Sequence, residues 1–216
     1  MHKSKSIPLK KPTITLDVQL IVFKHPATWP PAMAGLAPLE YNYFELNNIN
    51  LFIPPFSVIK SSGNLSADST GCFIYQKVSE NMQKKDSPLK TLRALTKQEA
   101  DRIWMKMNCL LWPGICEDDL SGNQKMKVSQ LFYHFLISES SESASFLTID
   151  KHLFPFCEEL NKSFGICISS PQEAWATYKP MYDLYTPDEN EINRMWQHQH
   201  YYLGNLFAEI AEINQF

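Results

Sequence analysis

The sequence predicts an α+β protein, a small and mostly antiparallel sheet from the N-terminal third packed on four to five helices, the last of them long. Three observations point there. Ile14, Leu16, Val18, Leu20 and Val22 alternate strictly with other residues, the period that sends one set of side chains to one face of a strand. Beyond Leu95 the apolar residues recur at helical spacing behind recognisable capping boxes,. Strands therefore come first and helices after, which favours α+β over an alternating α/β order.

Taken in order, the alternating run predicts a first strand, and Pro26, Pro30, Pro31 and Pro38 then exclude regular structure up to Leu39,. Leu39–Leu46 is rich in aromatic residues and reads as a second strand,. Asn47-Asn48 supplies a turn, and Ile49–Ile53 returns as its hairpin partner until Pro54-Pro55,. Ser61–Gly71 reads as a polar loop, Cys72–Val78 as the last clear strand and Ser79–Lys90 as exposed,. Thr96 and Glu99 form a capping box for a helix carrying Ala100, Ile103, Trp104, Met107 and Leu111, which Trp112-Pro113-Gly114 stops,. A further helix carries Val128, Leu131, Phe132, Phe135 and Leu136, and the serine-rich run Ser138–Ser145 follows it,. A helix starting near Pro155 stops at Gly165, and Ile166–Ile168 is a short strand,. Ser170-Pro171 with Glu173 caps the next helix, which Lys179-Pro180 ends,. Thr186-Pro187 with Glu189 opens the last one, whose stripe runs Ile192, Trp196, Leu203, Leu206, Ile210, Ile213,.

A chain of 216 residues with 44% hydrophobic and 20% charged residues is long enough for a core of its own and is not a disordered composition,. Residues 1–12 read as a flexible basic arm, and 13–216 as a single α+β domain. If the β part and the helical part are separate, the sub-boundary falls between residues 79 and 95. The net charge of -3 gives no reason to expect nucleic acid, and the four lysines of the arm read as a solvated tail,. Five irregularly spaced cysteines without a Cys-x-x-Cys pair exclude a disulfide scaffold and favour a reducing, cytoplasmic location,. No membrane span is expected.

Catalytic motifs are scarce. The chain has seven glycines, none clustered, so it carries neither a phosphate-cradling loop nor a Gly-x-Ser-x-Gly elbow,. His198 and His200 lie two apart on the expected helix and point apart, and no histidine or cysteine spacing suits a metal,. Glu117-Asp118-Asp119 reads as helix N-terminal charge rather than a calcium loop,. No cofactor, metal or small-molecule substrate is expected. A thiol enzyme, if the chain is one, would pair Cys72 with His152 or His134,.

The positive signal is aromatic. Met195, Tyr202 and Phe207 widen the last helix's stripe beyond one neighbour's reach, and Met181, Tyr182 and Tyr185 cluster at an element end,. The expected function is therefore non-enzymatic protein–protein contact through Trp196, Tyr202 and Phe207, with Trp29 in its proline-rich loop as a second anchor,. An adaptor or small subunit of a bacterial assembly, with another protein as partner, fits best. Glu209 and Glu212 among apolar residues near the end resemble the permissive C-terminal signals of proteins exported by bacterial type IV secretion systems. That resemblance implies a secretion-related complex or, as an alternative, an effector acting in a host cell.

Overall fold

The structure, a computed structural model, describes residues 12–18, 40–84, 92–115, 119–138 and 144–194. Residues 1–11 of the basic arm, the anchor Trp29, and the stripe residues Trp196, Tyr202 and Phe207 lie outside the described residues.

The elements run β1 (Thr13–Leu16), α1 (Glu40–Leu46), β2 (Asn50–Phe52), α2 (Phe56–Ser62), α3 (Ala67–Met82), α4 (Lys97–Leu111) and α5 (Gly122–Ile137). They continue with β3 (Ala144–Leu147), a 3-10 turn (Phe154–Phe156), α6 (Cys157–Phe164), β4 (Cys167–Ser169) and α7 (Pro171–Tyr182). A further helix begins at residue 189. The four strands form one sheet in the order β2-β1-β3-β4, and every pairing is parallel. The expectation of a mostly antiparallel sheet confined to the first third is thus overturned.

The physical reason lies in the connections. A parallel neighbour needs a crossover of a dozen residues or more, whereas a hairpin needs a tight turn. Leu39–Leu46 was expected as the strand beside Ile49–Ile53, but Glu40–Leu46 is helix α1, so no hairpin forms. Instead Thr13 pairs with Asn50 and Thr15 with Phe52 in parallel register. Cys72–Val78 likewise falls inside α3, where Ile74 and Val78, four apart, are both fully buried on one helix face,. β-branched and aromatic residues favour strands only weakly, and tertiary burial overrides that preference.

Parallel strands are covered on both faces. Ile14, Leu16 and Leu147 face Phe44 of α1 and Trp175 and Tyr178 of α7. On the opposite face Phe146 and Ile168 join the larger core with Trp104, Met107, Val128, Leu131 and Phe132 of α4 and α5. The alternation in β1 therefore does not separate core from solvent: Thr13 and Thr15 are buried too. Thr15 Oγ1 and His134 Nδ1 hydrogen-bond at 2.7 Å, which satisfies the hydroxyl inside the sheet–helix interface,.

Helix boundaries follow their caps. Thr96 with Glu99 and Ser170 with Glu173 form complete capping boxes as expected, and Ser121 with Gln124 forms a third,. Gly165 ends α6 at φ 68, a left-handed conformation glycine adopts without steric cost,. Two boundaries differ from expectation. Pro180 lies inside α7, which continues to Tyr182 and stops at left-handed Asp183. At the last helix the cap is Asp188, whose Oδ1 accepts from the Glu191 N–H at 2.9 Å, rather than Thr186.

The tightest helix contact is at Gly71 of α3, where an added Cβ would stand 2.3 Å from the Ala100 carbonyl oxygen of α4. Helix propensity alone gives alanine an advantage of ~1 kcal/mol there. The clash is with backbone, so α3 and α4 must separate, and overpacking of this kind costs ~1–3 kcal/mol. Gly71→Ala should therefore lower the urea midpoint of unfolding. A raised midpoint would show that propensity wins and that the two helices pack less closely.

Candidate functional site

The order β2-β1-β3-β4 contains a topological switch: the chain leaves β1 toward β2 on one side, while β3 and β4 lie on the other. In open α/β sheets the crevice outside the carboxyl ends of the strands at such a point is where ligands bind. The residues leaving β1 and β3 there are Asp17 and Thr148-Ile149-Asp150.

Backbone pairing brings them together. Leu16 stands beside Leu147, the Asp17 N–H donates to the Leu147 carbonyl at 2.9 Å, and the Thr148 N–H to the Ser169 carbonyl at 3.1 Å. The sheet thus holds the two strand ends rigidly side by side. Thr148 Oγ1 donates to Asp17 Oδ2 at 2.6 Å and accepts the Asp150 N–H at 3.0 Å. One threonine hydroxyl therefore orients both acidic residues. Asp150 Oδ1 accepts the His152 N–H at 2.9 Å, closing a local turn of the Asx type,.

Helix α5 supplies the opposite wall. Gln130 Oε1 accepts the Val18 N–H at 2.8 Å, and Lys127, one turn earlier, extends its ammonium to Asp150 Oδ2. That oxygen makes no hydrogen bond of ordinary geometry, so the lysine contact is its compensation. Burial pulls the Lys127 amine below its usual pKa, and the Asp17 carboxylate opposes that pull,. Asp17 is only 2% exposed. Asp17 and Asp150 thus both lie beside the Lys127 ammonium.

The space between is a cleft of about 420 Å³ lined by Asp17, Val18, Trp112, Asn123, Gln124, Met126, Lys127 and Gln130. Trp112 stacks on His152 with ring centroids 5.2 Å apart and planes at 22°, which gives one flank a flat aromatic character,. The rest of the lining is mostly apolar surface, with Val18 and Met126, in which one acid, one cation and three amides are set,.

Sequence reasoning passed over this site. Asp17 reads as an interruption of an alternating strand, and no motif marks Asp150 or Lys127. The legible signal was the pattern of a short apolar run ending in Asp, present twice, in Thr13–Asp17 and in Phe146–Asp150. The thiol constellation, by contrast, is not assembled. Cys72 is an interior residue of α3 whose N–H donates to Asp101 Oδ1 at 2.6 Å, not a loop-to-strand junction. His134 is sealed against β1, and His152 stacks on Trp112. No hydrogen bond joins a cysteine to either histidine among the described residues. Burial raises the Cys157 thiol above its usual pKa, the opposite of activation,.

No protein-family model, curated protein or solved structure matches the chain. Among the described residues no group of three or more His, Cys, Asp or Glu is placed to hold a metal ion, and no helix is long and apolar enough to cross a membrane.

His134 generates a pH prediction. Fully buried, it is pushed down to about 3, because charging it inside the core forfeits its hydration,. Its folded-state pKa lies below the unfolded value, so its stabilising contribution is complete above about pH 6.5. That contribution is lost as pH falls toward 3, with a limiting slope of ~1.4 kcal/mol per pH unit for one proton,. Urea unfolding between about pH 6.5 and pH 4 should show one more proton taken up on unfolding in wild type than in His134→Gln. Identical slopes would place His134 in contact with solvent.

Proposed function

We propose that the chain is an enzyme acting on a phosphate ester, with the crevice at the carboxyl ends of β1 and β3 as its active site. The observation that carries this reading is the convergence of Asp17, Asp150 and Lys127 at the switch point of a parallel sheet,. Magnesium is held by one or two protein carboxylates and completes its shell with waters and substrate phosphate oxygens. Asp17 and Asp150 would be those carboxylates: the Thr148 hydroxyl holds the Asp17 carboxylate and accepts the Asp150 backbone N–H. The cation would polarise the phosphoryl oxygen and lower the pKa of a bound water, supplying electrophile and nucleophile together. Asn123, Gln124 and Gln130 line the cleft beside them, with amides that donate to and accept from a polar substrate,.

Purified full-length protein should hydrolyse a member of a panel holding a phosphomonoester, a phosphodiester and a single-stranded oligonucleotide, with magnesium or manganese required. The arms of the panel separate the ester classes. Asp17→Asn and Asp150→Asn should each lower turnover by about a hundredfold or more, and Thr148→Val by ~10–100-fold, the usual loss when a partner of a metal ligand is removed. No turnover on any arm, together with no manganese binding, would overturn the reading.

A second reading is a docking protein, an adaptor or exported effector, favoured by Met181 and Tyr185. They are 51% and 55% exposed at the end of α7 and in the turn after it, just before the helix that begins at 189. Tyr185 is held there by Asn47, which accepts its N–H at 2.8 Å and donates to its carbonyl at 2.7 Å. The Tyr185 hydroxyl donates to the Glu191 carboxylate, so the side chain has less entropy left to lose on binding,. Affinity purification from the native cell should then recover a stoichiometric partner that Tyr185→Ala releases. Recovery of a lone monomer would remove this reading.

A further inference from the structure

We infer that the cleft holds the base of a nucleoside or nucleotide, stacked on Trp112 and hydrogen-bonded by the side-chain amide of Gln130. The inference rests on the preceding reading for the crevice as the substrate's place, names the substrate's class, and draws on no metal.

Gln130 is the group that points to a ligand. It is only 8% exposed, yet it lines the cleft. Its Oε1 accepts the Val18 N–H at 2.8 Å, which fixes which end of the amide is oxygen and which is nitrogen,. The Nε2 end has no hydrogen-bond partner among the described residues, and it is not a sealed atom either, so it gives onto the cleft. An amide held so deep by one end and left open at the other presents a donor to an acceptor from outside the chain.

The flat surface beside it is set before a ligand arrives. Trp112 is the C-cap residue of α4, and its N–H donates to the Asn108 carbonyl at 3.0 Å. His152 stacks on the indole and itself packs against Phe156 with ring centroids 5.6 Å apart. Trp112 is the member of this row of three rings that lines the cleft. A ring whose plane is fixed by its neighbours loses little freedom when a base stacks on it.

The charges in the lining already have partners, which favours a neutral planar ligand over a free anion. Asp17 accepts the Thr148 hydroxyl, and the Lys127 ammonium contacts Asp150. What remains to meet a ligand is the Gln130 donor, the Asn123 amide in the first turn of α5, the indole, and the apolar surface of Val18 and Met126. A nucleobase matches that set: it has an apolar face to stack and in-plane nitrogens or carbonyl oxygens to accept from Gln130. A cleft of about 420 Å³ is of the size that takes a small organic ligand,.

The test is calorimetric titration of the full chain, in chelator, with adenosine, guanosine, cytidine, uridine, ribose and inorganic phosphate. At least one nucleoside should bind and quench tryptophan emission, and ribose and phosphate should not bind. Gln130→Glu keeps the oxygen that holds Val18 and replaces the free donor by an acceptor. It should weaken binding about tenfold or more while the melting temperature stays near that of wild type. Trp112→Leu should weaken it by ~10-fold or more. Trp112→Phe keeps a ring for stacking, so it should bind within a few-fold of wild type and lose the quenching, although four other tryptophans still emit. That variant and Gln130→Glu carry the test should Trp112→Leu fail to fold. No binding of any nucleoside at about 1 mM by folded wild type would overturn the base pocket. Binding that Gln130→Glu and the Trp112 variants leave unchanged would overturn it as well. Nucleoside binding without hydrolysis of any ester would keep the pocket and remove the esterase reading. Hydrolysis of an ester without nucleoside binding would do the reverse.

Discussion

Parallel pairing of β1 with β3 is the constraint on which the rest of the molecule depends. It places Leu16 beside Leu147 and so sets Asp17 beside Thr148 at the common carboxyl edge. Parallel pairing also obliges both faces of the sheet to be covered, because the crossovers that make it run over those faces. Helices α1 and α7 take one face, and α4 and α5 the other. With the faces closed, the carboxyl edge is where polar groups from both strands and from α5 meet.

Burial of polar groups follows the same logic. Thr15 and Ser145 lie within the sheet and Asp17 just past the end of β1, and each is buried with a partner: His134, Tyr178 and Thr148. In the core the Trp104 indole N–H donates to Ser129 Oγ at 3.2 Å, between α4 and α5. Buried polar groups are tolerated when paired. Such pairs also fix which helix faces which strand, so the core and the crevice are specified by one set of contacts. His134 and Lys127 illustrate the difference between them. Two turns apart on α5, one is sealed and neutral and the other half-buried and charged, since one faces the centre of the sheet and the other its edge.

How much of this was legible varies by element. The boxes at Thr96 and Ser170, the stop at Gly165 and the short strand at 167–169 were readable, because each depends on residues within a few positions of one another. Leu39–Leu46 and Cys72–Val78 misled, because their aromatic and β-branched residues favour strands locally while the burial that makes them helical comes from distant elements,. The crevice was not legible as a site. Asp17 and Thr148 are 131 positions apart, and nothing local in either sequence names the other.

By itself, then, the sequence determined the capping boxes at Thr96 and Ser170, the stop at Gly165, the absence of glycine-rich phosphate loops, and an apolar content sufficient for a core. These are short-range or compositional properties. Tertiary structure alone decided the parallel order β2-β1-β3-β4, the two-sided burial of a threonine-bearing strand, and the meeting of Asp17, Asp150 and Lys127. Strand order is a matter of which long-range pairing buries most area at least loop-closure cost, and that comparison is made over the whole chain at once.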